Sequence, residues 1–504
     1  MGVSSTERSP QTLDEAACYE ALVAKDARFD GAFFVGVKTT GIYCRPVCRA
    51  RTPGRDRCEF FPRAALAEQA GFRACFRCRP ERAPGHASVD AVSALVAAAV
   101  RRIEEGALND GNVEELAAAL GTSSRHLRRA MVAEIGLGPI ELAGSRRIAL
   151  ARELLRGTDL PITDVAFASG FTSIRRFNDA YRASQKMTPT EVRRPTRSAK
   201  AGVLEGGIRI ELDVRPPFDP AAALAFLRAR SVTGSEVFAG DAWLRAATIG
   251  GTTGIVAATP TARAIIVEVS PALAPALMSI AARMRRVFDT DVDPLAIDAH
   301  LSRDPRLAPS VAARPGLRVM GAFEPFEWAI RAVIGQQISV AGARTVASRL
   351  VLRFGAPVPS SPPDGPTHAF PVPDVLAAAD EEDIIRLGMT GARARTLHNL
   401  AKAVAEKRLV LDRGVDPTTM MASLLALPGI GPWTAEYIAM RALHWPDAFP
   451  AGDLGLRKAL AGATEAEAER LSERWRPWRA YAAAHLWTGS AETSLAVKKK
   501  GKKS

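Results

Sequence analysis

Residues 427–435 read LPGIGPWTA, a Gly-Ile-Gly core set between two stretches of helical periodicity. The pattern predicts two helices joined by a tight hairpin. Glycines let a backbone approach a phosphate closely, and the free amides at the start of the following helix point at the anion. Gly429, Gly431 and Thr434 are therefore candidate contacts to a DNA backbone. Twenty-two residues after Gly431, within FPAGDLGL, stands Asp453. Its place before LGLRKAL suits a helix N-cap, and an N-cap aspartate can also carry chemistry. The nearby Asp447, in a Trp-Pro-Asp sequence, reads as a turn.

Working outward, the chain of 504 residues is too long for one compact core, so several domains are expected. Its 67 Lys and Arg against 54 Asp and Glu leave a formal charge of +13, which favours a polyanionic partner. No apolar leader follows Met1 and no long uncharged apolar run occurs, so neither secretion nor membrane association is expected and a cytoplasmic location is. The polar, Pro/Gly-rich breaks near 80–86, 193–207 and 355–373 divide the sequence. Residues 87–193 are helical in period, 208–270 hold β-branched segments such as IRIELDV and AIIVEVS, and helices return after Leu273. The fold class is multidomain and mainly α with α+β parts. A four-cysteine zinc domain (10–86), an all-α domain of tandem helix-turn-helix units (87–195), an α+β subdomain (207–312), an all-α helix-hairpin-helix domain (313–490) and a basic disordered tail (491–504) are expected in that order.

All six cysteines lie within the first 78 residues. Cys44 and Cys48 form one close pair and Cys75 and Cys78 another, the spacing that one tetrahedral Zn2+ with four thiolate ligands requires. Cys18 and Cys58 fall outside this set and read as ordinary thiols. The flanking sequences TTGIYCRPVCRAR and AGFRACFRCRP resemble the N-terminal domain of Ada-type alkylation-response regulators over about 60 residues. That resemblance implies that Cys44 is a methyl acceptor for DNA methylphosphotriesters as well as a zinc ligand. A purely structural zinc site is the alternative. Arg45, Arg49, Arg51, Arg73, Arg77 and Arg79 crowd the cysteines and are suited to phosphate.

Residues 113–134 and 162–182 each read as a helix, a glycine, a short turn and a second helix. The tandem pair resembles the AraC-type DNA-binding domain. It implies groove-facing side chains among Ser124, Arg125, Arg128 and Arg129 in the first unit and Ser173, Arg175, Arg176 and Asn178 in the second. The implied partners are double-stranded DNA at promoter sites and, for an activator, RNA polymerase.

The hairpin followed by an aspartate resembles helix-hairpin-helix base-excision glycosylases, and the 3-methyladenine DNA glycosylase II family in particular. RPPFDP, IGQQISVAGART, LGMTGARARTL, LPGIGPWTAEYIAMRAL and RWRPWRAYAAAHLW carry the likeness across residues 208–488. It implies excision of alkylated bases from DNA, with Asp453 as the catalytic carboxylate and Phe226, Trp433, Tyr437 and Trp487 around the flipped base. Each aromatic also suits a core. Gln337 occupies the position of the wedge that fills the vacated stack, where a large apolar residue is more usual. Strand-cleaving members of this group carry a lysine two residues after the second hairpin glycine. Trp433 stands there, so hydrolysis without lyase chemistry is expected. No cysteine follows Cys78, so an iron–sulfur cluster is not expected, nor is any organic cofactor. The Pro-Cys-His-Arg nucleophile of a second methyltransferase domain is absent too.

Overall fold

A computed structural model describes residues 13–84, 93–193, 202–412, 415 and 417–500. The expected linkers at 85–86 and 194–201 lie outside these residues. The chain divides into two compact units. One comprises Met1–Arg215, Ala264–Ala282 and Thr290–Val292, and the other Pro216–Arg263, Arg283–Asp289 and Asp293–Ser504. The α+β stretch expected as one subdomain over 207–312 thus contributes to both.

The first unit opens with a four-stranded sheet in the order Cys58–Phe61, Phe34–Val37, Ile42–Cys44, Arg73–Ala74. Its outer pairing, Ile42–Cys44 with Arg73–Ala74, is parallel, with Tyr43 opposite Ala74. The next residue of each strand sequence is a cysteine of the predicted set, so this register alone brings Cys44 and Cys75 level. The helices Val113–Ala119 and Ser124–Ile135 form the first helix-turn-helix, and Ile162–Ala168 and Ile174–Gln185 the second. The 19-residue helix Pro139–Gly157 joins them. Ser123 caps the second helix of the first unit by accepting from His126 N–H, and Asn112 with Glu115 forms a capping box on the first. Leu116, Leu127, Met131 and Leu142 close a shared apolar core. Strand Ile208–Asp213 pairs antiparallel with Ala264–Val269, and its alternate residues Ile208, Ile210 and Leu212 are buried.

In the second unit Glu236–Ala239, Ala242–Ile249 and Thr252–Pro260 form an antiparallel meander. The remainder is helical and gathers around Ile330, Val333, Leu350, Leu397, Leu400 and Ile438. Within the proline-rich stretch 355–373 the two-residue strands Ala356–Pro357 and His368–Ala369 pair antiparallel across a loop. The last helix runs Arg479–Lys500, past the point where a disordered tail is expected, because the Ala- and Lys-rich sequence continues a helix already anchored by packing. Residues 501–504 lie outside the described residues.

Candidate functional site

Three sites emerge. At the first, the sulfurs of Cys44, Cys48, Cys75 and Cys78 all lie within 4.8 Å of one another. Cys44 ends its strand, Cys75 follows the parallel neighbour, and turns at Arg45–Cys48 and Cys75–Arg79 return the other two sulfurs. The backbone N–H groups of Arg45 and Arg77 donate to Cys78 Sγ and Cys75 Sγ at 3.4 Å each. Thiols this close share protons. Hydrogen bonds from Cys44, Cys48 and Cys78 hold Cys75 far below the ordinary thiol range, and sharing with Cys44 lowers Cys48 to about 7. The same contacts drive Cys44 and Cys78 upward. A four-sulfur, carboxylate-free donor set with amide donors to sulfur fits one Zn2+. Cys18 and Cys58 lie outside this cluster; burial pushes Cys18 up to about 11.

The second site is the pair of helix-turn-helix units. Arg125, Arg128, Arg129, Arg175 and Arg176 are exposed on the second helix of each unit, while Ser124, Ser173 and Asn178 are half-buried. Arg128 pairs with Glu114 at 3.2 Å across the turn.

The third site surrounds Asp453. Its carboxylate accepts three N–H groups: Leu456 N at 3.0 Å and Trp487 Nε1 at 2.8 Å on Oδ1, and Trp433 Nε1 at 3.2 Å on Oδ2. The N-cap and the functional alternatives are therefore compatible in one side chain. Trp433 and Tyr437, one helical turn apart on Pro432–Arg441, stack with centroids 5.4 Å apart and planes at 9°. Trp487 meets Tyr437 edge-on at 6.4 Å. Phe226 faces the same group across the guanidinium of Arg441, whose Cζ lies 4.7 Å from Phe226, 5.5 Å from Trp487 and 6.0 Å from Tyr437. Arg441 is 3% exposed and donates to Met320 O at 3.0 Å; burial lowers it to about 10. Burial would raise the Tyr437 phenol, but the charges of Arg441 and Arg230 outweigh it and lower the group. The rival Asp447 sits in a turn and is engaged by Arg476 and Arg479.

The hairpin itself is exposed at Gly429, where φ is +86°. A Cβ there would collide with Thr396 Oγ1, whereas Gly431 faces open space. Thr434, expected to contact DNA, is 3% exposed and its hydroxyl accepts from Gln336 Nε2 at 3.0 Å. Its side chain braces the hairpin from behind, because the first inward position of the helix is turned away from solvent. Gln337 is exposed, holds φ +56°, and is followed by exposed Ile338 and Val340.

Four sequence profiles match successive parts of the chain: "Metal binding domain of Ada" over 17–81, "Helix-turn-helix domain" over 116–195, "AlkA N-terminal domain" over 209–324, and "HhH-GPD superfamily base excision DNA repair protein" over 330–477. A Mycobacterium tuberculosis protein described as "Probable bifunctional transcriptional activator/DNA repair enzyme AlkA" is 44% identical over 481 residues, 94% of this chain and 96% of the relative. The chain belongs to this family of bifunctional activator/repair proteins. The DNA-3-methyladenine glycosylase 2 of Escherichia coli is 36% identical over 279 residues, covering 55% of this chain and 95% of the relative. In fold, the 3-methyladenine DNA glycosylase of Archaeoglobus fulgidus superposes with a TM-score of 0.51 at 21% identity, covering 56% of this chain and 99% of that one.

Within this family architecture, sequence reasoning overlooked Trp328, which stacks on Phe226 at 6.3 Å, and the cations Arg230 and Arg441. Arg441 was within reach: Trp433, Tyr437 and Arg441 recur every four residues on one helix face. Trp328 had no such signal, since its neighbour Phe226 lies about a hundred residues away in sequence.

Proposed function

We propose that this chain excises alkylated bases, 3-methyladenine among them, from duplex DNA by hydrolysis without strand cleavage, and that its N-terminal half senses methylphosphotriesters and binds promoters. The observation that carries the first part is the Asp453 carboxylate held by the indoles of Trp433 and Trp487 beside an exposed glycine hairpin. Gly429, Gly431 and the amides at the start of Pro432–Arg441 grip a phosphate, while the buried Thr434 supports them. Gln337 enters the stack at the vacated position. The flipped base lies among Trp433, Tyr437, Trp487 and Phe226, whose faces favour the positive charge of a ring-alkylated purine. As the N-glycosidic bond breaks, positive charge grows on the sugar, and Asp453, already oriented by two indole donors, stabilises it and directs a water to C1′. Trp433 occupies the place of a lyase amine, so the product is an intact abasic strand.

Cys44, Cys48, Cys75 and Cys78 would hold one zinc ion, which when bound keeps these sulfurs deprotonated at neutral pH. Cys44 Sγ forms a bond to the methyl carbon as the methyl–oxygen bond of the phosphotriester breaks, leaving a phosphodiester anion and a neutral thioether. Loss of one negative charge weakens repulsion of the DNA backbone. Arg125, Arg128, Arg175 and Arg176 then read or anchor a promoter, where RNA polymerase is the expected partner. The domain order is kept from the sequence, with residues 207–312 contributing to both compact units and the last helix running to Lys500, and a cytoplasmic location is proposed with it. No helix among the described residues is long and apolar enough to cross a membrane.

The test is excision from a duplex carrying a single 3-methyladenine or hypoxanthine, with parent and Asp453→Asn compared before and after alkali. Abasic sites from the parent alone, with no nick before alkali, are expected. Failure of the parent to release either base would overturn the glycosylase reading. A methyl adduct on Cys44 after incubation with methylphosphotriester DNA, read by mass spectrometry, tests the acceptor.

A further inference from the structure

Among the arginines of the zinc domain two groups differ in what holds them. Arg49, Arg51 and Arg77 are exposed. Arg45, Arg79 and Arg82 are not: each is held by carboxylates, most of them from elsewhere in the first unit. Arg45 Nε donates to Asp30 at 2.7 Å within the zinc domain, and its Nη1 to Asp213 at 2.5 Å. Arg82 pairs with Glu211 and, at 3.0 Å, with Asp213. Arg79 pairs at 2.5 Å with Glu153 on the helix Pro139–Gly157, and the other oxygen of Glu153 accepts from Glu211 N–H at 3.3 Å. Glu211 and Asp213 share one side of strand Ile208–Asp213, the side opposite its buried Ile and Leu residues. All of that strand but Ile208 falls within the span matched by the AlkA N-terminal domain profile.

A guanidinium offers the same planar fork of donors to carboxylate and to phosphate, and cannot serve both fully at once. We propose that strand Ile208–Asp213, with Glu153, is a docking surface for the chain's own zinc domain, and that the DNA backbone competes with it for Arg45, Arg79 and Arg82. Docked, the zinc domain presents only its outer arginines; released, it gains up to two further phosphate contacts, at Arg79 and Arg82, and the Nη1 of Arg45 is uncovered while its Nε stays on Asp30. Arg45 ties this exchange to the cysteine cluster, since its backbone N–H donates to Cys78 Sγ at 3.4 Å and its Nη1 to Cys78 O at 3.2 Å. The exchange requires neither methyl transfer nor base excision. The junction is a latch that sets how strongly undamaged DNA is held.

The full-length, zinc-loaded protein is compared with its Glu211→Gln/Asp213→Asn variant for binding to an undamaged duplex over a salt series. Freeing Arg82, and the Nη1 of Arg45 whose Nε stays on Asp30, should raise affinity about twofold to fivefold at moderate salt and steepen the plot of log affinity against log salt by about one unit. Zinc content and thermal midpoint check that the variant is folded, and excision of 3-methyladenine, to which neither carboxylate contributes, is read separately. Hydrogen exchange on the parent supplies a readout independent of mutation: amides of residues 209–213 should lose protection when the undamaged duplex is bound. An unchanged or shallower salt slope in the folded variant, or unchanged protection of 209–213 in the parent, would sink the latch.

Discussion

Asp453 reconciles two demands on one carboxylate. As an N-cap it accepts Leu456 N–H, and as a charged group it is aimed by Trp433 and Trp487. The two functions separate on substitution. Asn caps helices about as well as Asp, so Asp453→Asn should keep its thermal midpoint within about 2 °C of the parent. Excision should nevertheless be lost, because the amide carries no charge for the sugar to meet. Trp487→Phe keeps an aromatic face while deleting one donor to the carboxylate. A hydrogen bond to a charged group contributes about 1.5–3 kcal/mol, so single-turnover excision should fall roughly 10- to 100-fold if that bond orients the carboxylate in the transition state. An unchanged rate would show that Trp433 suffices. Asp453 and its aromatic neighbours were legible because motif order carries them. Trp328 was not, since an apolar residue at helical spacing has a commonplace explanation, and the one signal for Arg441 was its place a turn beyond Trp433 and Tyr437, where a cation near a helix C-terminus is equally commonplace.

At the scale of elements, the hairpin separates two glycines that look equivalent in sequence. Gly429 holds a positive φ and backs onto Thr396, whereas Gly431 has φ −92° and open space beside it. Gly429→Ala should cost about 1–3 kcal/mol and weaken duplex binding, while Gly431→Ala should leave stability within about 0.5 kcal/mol. Equal midpoints for the two variants would contradict this account. The last helix supplies a pH signature. Burial, reinforced by the charge of Arg314, pushes His485 down to about 4, and its Nδ1 meets Ser310 Oγ at 3.0 Å. The unfolded chain binds that proton near pH 6.5 and the folded chain does not. The neutral ring's stabilisation is therefore complete above about pH 6.5 and is lost as pH falls toward 4, by about 3 kcal/mol in all. Urea midpoints should decline over this window in the parent and less steeply in His485→Gln. Helices, caps and both helix-turn-helix units were legible from periodicity, and the strands within 208–270 from β-branched runs, whereas the short strands of the zinc domain carried no such run. The parallel pairing that levels Cys44 with Cys75 was not, because no local pattern encodes which strands become neighbours.

At the scale of the molecule, the sequence announces an order of modules, and composition separates them sharply: every cysteine precedes residue 79. What it conceals is partnership between modules, because ion pairs such as Arg82–Glu211 join residues more than a hundred positions apart. The arginines next to the cysteines read as phosphate contacts, yet Arg45 and Arg79 are already occupied by carboxylates. The confinement of cysteine makes a chelator a domain-selective reagent. Removing zinc leaves four neighbouring sulfurs in a small sheet domain whose apolar core includes the cysteines themselves, so that domain should loosen and methyl uptake at Cys44 should cease. The aromatic pocket around Asp453 uses no sulfur ligand, and its helical unit has a core of its own. Base excision by the chelated full-length protein should therefore stay within about twofold of the zinc-loaded protein under saturating enzyme, where binding differences drop out of the rate. Loss of excision on chelation, with secondary structure of the helical half intact, would instead mean that the zinc domain supports the chemistry at Asp453.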